Sequence, residues 1–301
     1  MPAACIDIGS NTTRLLVAER SGDGLRELLA QRAFTKLGRE LRRNKGKISK
    51  DKVREVADVV TTQVRLAHEL GATKMRAVAT AATRQAKNGD TLLDAIELAA
   101  GLPVEVLSEH EEARLGFLGA TRLLGESFEG PIAVVDVGGG STEIAIGTFA
   151  EGVEWAHSFE IGSGYVADEF LTSDPPGAGE LSAARAAIRR AFDGVALPTA
   201  TTGVAIGGSA SSLRRMVGAV VDHETLERAV RVITRNPSDE VATQFDLDID
   251  RVRVLPAGVM LLEEASDRLG LPLRVGRGGL REGVVLELLS QDKTPKETVK
   301  A

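Results

Sequence analysis

One arrangement occurs twice in this chain and limits its fold more than anything else: a short apolar strand that ends in aspartate, a turn of small residues, and a second strand. The first copy runs from Ala3 through Asp7 and Gly9-Ser10-Asn11-Thr12 to Leu15–Ala18. The second runs from Ile132 through Asp136 and Gly138-Gly139-Gly140-Ser141-Thr142 to Ile144–Ile146. Duplication of a βββαβα-type unit explains both copies economically. Between and after them, helical periodicity alternates with short apolar runs. Ser49–Leu70 carries apolar residues at 53, 56, 60, 64, 67 and 70 before Gly71, and Lys74–Thr80 reads as a strand. Asp90–Ala100 reads as a helix and Val104–Leu107 as a strand, and 181–192, 203–206, 209–216 and 280–289 continue the α/β alternation.

A chain of 301 residues exceeds what one apolar core usually serves, so two domains are expected, 1–126 and 127–301, meeting near Glu126–Pro131. The last eleven positions, 291–301, read as a polar tail. With 43% hydrophobic and 27% charged residues the composition is that of a folded soluble protein. Aromatic residues make up only 3%, too few for base-stacking platforms, so nucleic acid is not an expected partner. Cys5 is the only cysteine, and no uncharged 18-residue run occurs. A cytoplasmic location without membrane insertion is therefore expected. The net charge of -6 means that any polyanion site must be locally basic. The one basic concentration, Arg32 to Lys52, reads first as a solvated loop.

Turns of small residues after strands let backbone N–H groups converge on a phosphate. At the first turn Ser10, Asn11 and Thr12 add side-chain donors, and at the second Ser141 and Thr142 stand beside three bare glycines. Asp136, and after it Asp7, is the expected Mg²⁺ position, since a buried strand-end carboxylate needs a cation or hydrogen bonds. The alternative is an aspartate that bonds its own turn. Ser108–Glu111 has capping-box spacing, which gives Glu111 a structural task and leaves Glu112 as the better general base, with Glu111 second. Arg84, in a helix start at a strand's end, is placed to meet an anion, and Gly207-Gly208-Ser209 form a third small-residue turn. His68, His110, His157 and His223 lack metal-ligand spacing.

Seven segments in order, among them I-D-I-G-S-N-T at 6–12, V-A-T-A-A-T-R-Q-A-K-N at 78–88, S-E-H-E-E-A-R-L at 108–115, D-V-G-G-G-S-T-E at 136–143, I-G-G-S-A at 206–210 and G-L-R-E-G at 279–283, resemble the exopolyphosphatase/guanosine pentaphosphate phosphatase family. That resemblance implies two actin-like (ribonuclease H-like) ATPase domains with the active site in the cleft between them. It implies Glu112 as the group that activates water, Asp136 and Glu143 as the acidic pair associated with Mg²⁺, the two glycine turns as the phosphate-binding loops and Arg84 as a contact of the phosphate chain; Arg14 and the third turn, Gly207-Gly208-Ser209, are further candidate phosphate contacts. The implied substrate is inorganic polyphosphate, or alternatively guanosine pentaphosphate; an actin-like kinase or a non-catalytic sensor are the rival readings, and a homodimer is left open. Glu109 stands where the family usually has glycine and Ser209 where it commonly has threonine. The chain resembles a short, two-domain member.

Overall fold

The computed structural model describes residues 1–22, 24–125 and 128–290. The first unit is a mixed sheet of β1 (Ala3–Ile8), β2 (Thr13–Ser21), β3 (Gly24–Ala33), β4 (Lys74–Ala79) and β5 (Val104–Val106), in the order β3-β2-β1-β4-β5. Its helices are α1 (Leu37–Arg43), α2 (Lys50–Glu69), α3 (Ala81–Gln85), α4 (Gly89–Ala100) and α5 (Glu109–Arg122). The second sheet contains β6 (Ile132–Val137), β7 (Thr142–Thr148), β8 (Gly152–Phe159), β9 (Thr202–Ile206), β10 (Val220–Val221) and β11 (Leu273–Val275), ordered β10-β11-β9-β6-β7-β8. Around it lie α6 (Ser163–Phe170), α7 (Ala178–Phe192), α8 (Gly207–Val217), α9 (His223–Ile233), α10 (Ser238–Phe245), α11 (Ile249–Val252) and α12 (Leu255–Leu269); α13 (Leu280–Ser290) closes the described chain.

The duplication expected from sequence extends to hydrogen-bond register. β1 pairs antiparallel with β2, Asp7 opposite Arg14 and Ile8 opposite Thr13; β6 pairs antiparallel with β7, Asp136 opposite Glu143 and Val137 opposite Thr142. β4 and β9 then add in parallel on the other side of β1 and β6. Strand β1 is buried along its whole length, which is why it reads as a continuous apolar run and not as an alternation.

α2 forms where its periodicity placed it. Ser49 Oγ accepts from Lys52 N–H at the start, and Val53, Val56, Val60 and Val64 pack with Ile6, Ile8, Leu15 and Val17 on one face of the first sheet. On the opposite face, Cys5 and Leu16 meet Leu115 of α5 and Val284, Val285 and Leu289 of α13. Ala113, Phe117 and Ala120 of α5 pack instead against Ile132, Val134, Val204 and Ile206 of the second sheet. α5 is thus wedged between the sheets, its first turn at their junction. Its contact with α13 is backbone to backbone, because a Cβ on Gly283 would lie 2.8 Å from the Leu115 carbonyl carbon.

The basic stretch is not a solvated loop. Its start belongs to β3 and its centre forms α1, and Lys36, Arg39 and Arg42 turn towards carboxylates of the other unit. The expected division at 126/127 and the tail 291–301 lie outside the described residues. No helix among the described residues is long and apolar enough to cross a membrane.

Candidate active site

The two duplicated turns have the same hydrogen bond: Gly9 N–H donates to Thr12 O at 3.0 Å, and Gly138 N–H donates to Ser141 O at 3.0 Å. They also touch each other. A Cβ on Gly139 would come within 2.8 Å of Asn11 Cβ, and one on Gly140 within 2.5 Å of Ser10 Oγ, so only glycine allows this approach. Flanking elements fix the peptide planes. Gly38 N–H and Lys36 N–H donate to Ser10 O and Asn11 O at 2.7 and 2.9 Å, while Ser163 N–H and Gly164 N–H donate to Gly138 O and Gly139 O at 2.9 Å each. In a trans peptide the following N–H points opposite to the carbonyl, so the amides of Asn11, Thr12, Gly139 and Gly140 face away from α1 and α6. That is the side of a cleft of about 170 Å³, which all four residues line.

Asp7, Asp136, Glu143 and Glu112 line the same cleft. Burial raises the pKa of each, and their mutual repulsion adds to it for Asp136, Glu143 and Glu112. Asp136 is pushed up to about 6 by burial, against the attraction of Arg14. Glu143 rises to about 7, again by burial first, although Ser158 Oγ donates to its Oε1 at 2.8 Å. Glu112 lies well above the usual range through burial and the neighbouring Glu143 charge, and Arg84 opposes this by donating from Nη1 to Oε2 at 2.7 Å. In all four the loss of hydration on burial is the main cause of the rise.

Most residues expected from sequence meet here. Ser10, Asn11, Thr12, Arg14, Gly138, Gly139, Gly140, Ser141 and Gly207 join the four carboxylates on the cleft wall. Arg84 stands behind Glu112 and also donates to Leu107 O at 2.8 Å. Thr142 is turned inward, donating to Ile161 O at 2.7 Å. Gly208 is covered by the Arg251 guanidinium. Ser209 is fully buried beside Gly258, and Ser211, two residues on, lines the cleft instead. Glu111 is elsewhere: both its oxygens accept from Arg114, at 2.8 Å each. The Ser108–Glu111 cap is half formed, since Ser108 Oγ accepts from Glu111 N–H but the Glu111 carboxylate turns to Arg114 instead of back to the cap.

Sequence reasoning missed Arg277, Arg281 and Glu282, which bring the start of α13 into the cleft. The available signal was the charged pair Arg281-Glu282, one residue after Gly278-Gly279.

Whether Mg²⁺ suits this cleft is tested by the donors themselves. Asp7 Oδ1 is buried without a hydrogen-bond partner, and burial disfavours the charged forms of Asp136 and Glu143, which a bound cation would restore. Among the described residues no group of three or more His, Cys, Asp or Glu forms a ready-made metal cage. Mg²⁺ is commonly held by one or two carboxylates together with water and phosphate oxygens, so the residues fit it.

A sequence model of the Ppx/GppA phosphatase family matches residues 16–292. Exopolyphosphatase 2 of Mycobacterium tuberculosis is 30% identical over 95% of this chain and 98% of its own length. Exopolyphosphatase 1 of Mycobacterium leprae is 27% identical over 97% of this chain and 91% of its own. The crystal structure of the Aquifex aeolicus Ppx/GppA family member superposes with a TM-score of 0.81 at 27% identity, covering 98% of this chain and 99% of that one. The fold is the actin-like two-domain α/β fold that the sequence resemblance implied.

Proposed function

The chain belongs to the Ppx/GppA phosphatase family, and from that premise we propose that it is a cytoplasmic exopolyphosphatase, releasing terminal orthophosphate from inorganic polyphosphate. The phosphoanhydride-hydrolase class follows from the family and from relatives named exopolyphosphatase. The single observation that carries the mechanism is the position of Glu112, largely enclosed in a cleft where two amide-presenting turns converge and clamped by Arg84.

The amides of Asn11, Thr12, Gly139 and Gly140, with Arg14, receive the terminal phosphate and bear the charge its oxygens develop. Glu112, its pKa raised by burial and by the neighbouring Glu143 charge, takes the proton of the attacking water, and Arg84 holds its carboxylate in one orientation. Asp136 and Glu143, with Asp7 beside them, would hold Mg²⁺, which supplies further charge neutralisation on the phosphate oxygens. Side chains here position and neutralise; none acts as a nucleophile.

Phosphate release measured with Mg²⁺ on tripolyphosphate, long polyphosphate, guanosine pentaphosphate and ATP tests this reading. Release from polyphosphate above the other two supports it. Preference for guanosine pentaphosphate would assign the chain to the sister activity, and no release from any substrate would overturn the proposal.

A further inference from the structure

A second chamber, about 540 Å³, opens on the outer side of the two turns and shares Ser10, Asn11 and Gly139 with the catalytic cleft. Anything that occupies both must pass over the turns. One wall comes from α1 and the residues before it, with Lys36, Arg39, Arg42 and Arg43; the facing wall carries Asp168 of α6 and Asp250 at α11.

The ion pairs across this chamber all run in one direction, cations from the first unit and carboxylates from the second. Arg42 pairs with Asp168, and Arg39 Nε stands 3.8 Å from the same carboxylate. Lys36 Nζ lies 2.9 Å from Asp250, and Arg32 reaches Asp248 at 4.0 Å. These side chains are about a quarter to a half exposed, so each pair is weakly held and open to exchange. Phosphate oxygens are good replacements, since a guanidinium can donate two parallel hydrogen bonds to them. The cations recur at 36, 39 and 42, every third residue, while among the described residues no aromatic ring lines the chamber for a base to stack on. A repeating row of cations suits a repeating anion.

We infer that Lys36, Arg39 and Arg42 form a distal-phosphate subsite for a polyphosphate chain whose terminal unit sits in the catalytic cleft, with Asp168 and Asp250 as resident counter-ions that the chain displaces. The inference rests on the exopolyphosphatase reading and adds to it a basis for chain-length preference. A tripolyphosphate engages the turns without filling the subsite. A longer chain reaches Arg39 and Arg42 and gains their hydrogen bonds.

The test is kcat/KM on tripolyphosphate, on polyphosphate of several tens of units and on guanosine pentaphosphate, for wild type, the double variant Arg39→Gln/Arg42→Gln, and Asp168→Asn. Both altered proteins lose the Arg42–Asp168 pair, so a purely structural latch would move them together. The subsite instead requires opposite signs. The long-over-short ratio should fall about tenfold in the arginine variant and rise a few-fold in Asp168→Asn, whose arginines are freed for phosphate. Equal losses on both polyphosphates, ratios unchanged in both proteins, or parallel changes in the two would overturn the inference. So would a loss on guanosine pentaphosphate as large as on the long chain, which would give the chamber to a nucleotide. A wild-type protein that releases no phosphate from either polyphosphate would instead remove the exopolyphosphatase reading, and this inference with it.

Discussion

Arg84 Nη1 stands 2.7 Å from Glu112 Oε2 and donates in parallel to the backbone oxygen of Leu107 at 2.8 Å, so the cation is anchored independently of the carboxylate it holds. Two substitutions separate orientation from chemistry. Glu112→Gln keeps the shape but removes the base, and turnover should fall by ~10²–10⁴ with substrate binding little changed. Arg84→Gln removes the group that opposes the upward pKa shift of Glu112, so the base stays protonated to higher pH. The acid limb of kcat/KM against pH should therefore move upward in Arg84→Gln. A limb in its original place, or full turnover in Glu112→Gln, would withdraw Glu112 from the role.

Gly207 adopts φ +89°, and a Cβ there would lie 2.6 Å from Asp136 Oδ1 and 3.0 Å from Val137 O. Gly207→Ala thus combines backbone strain with displacement of a carboxylate in the site. Stability should drop by roughly 1–3 kcal/mol in chemical denaturation. Phosphate release should fall by about tenfold or more, a modest part of what charge stabilisation is worth in such sites. An alanine variant as stable and as active as wild type would show that the turn does not fix Asp136.

How far the sequence reached is clear from which residues it missed. Asp7, Asp136 and the two turns were legible because their chemistry is local: a strand, a carboxylate and small residues lie within a few positions of one another. Glu112 was legible by elimination, although the real occupant of Glu111 is Arg114 and not the cap. Ser209 was misleading, since adjacency to Gly207 does not reveal that the helix turns its hydroxyl into the core at Gly258. Arg281 and Glu282 reach the cleft only because α13 crosses back onto the first sheet, a contact between positions far apart in sequence. The basic stretch misled for the same reason, its partners Asp168 and Asp250 being distant in the chain.

That return of α13 is itself open to test. A Cβ on Gly283 would press on the Leu115 carbonyl, and Leu115 belongs to the helix that carries Glu112. Gly283→Ala should destabilise the protein by about 1–3 kcal/mol, the usual cost of overpacking. The melting temperature should fall by several degrees, at roughly 2–4 °C for each kcal/mol in a large domain. Gly179→Ala, where a Cβ meets nothing within 4 Å, is the matched control and should melt close to wild type. Similar melting of the two variants would show that the α5–α13 contact yields without cost.

The crowded carboxylates give stability a pH dependence whose sign can be fixed in advance. Asp136 and Glu143 ionise near 6 and 7 in the folded protein, above their ordinary range, so between about pH 4 and 7 the folded state binds more protons than the unfolded one. Stability from these groups is full below the ordinary carboxylate range and is lost as pH rises through the folded values. Each unit of upward shift costs the ionised folded form about 1.4 kcal/mol. Without divalent metal the melting temperature should therefore decline from about pH 4 to pH 7, a window set by those two shifts. Mg²⁺ binds the ionised carboxylates, so its stabilising increment should be larger at the alkaline end of that window. Asp136→Asn/Glu143→Gln removes both charges, and its metal-free melting curve should be flatter with pH and insensitive to Mg²⁺. A melting temperature that climbs over the same range in wild type, or an Mg²⁺ increment that survives in the double variant, would place the metal and the charge strain elsewhere.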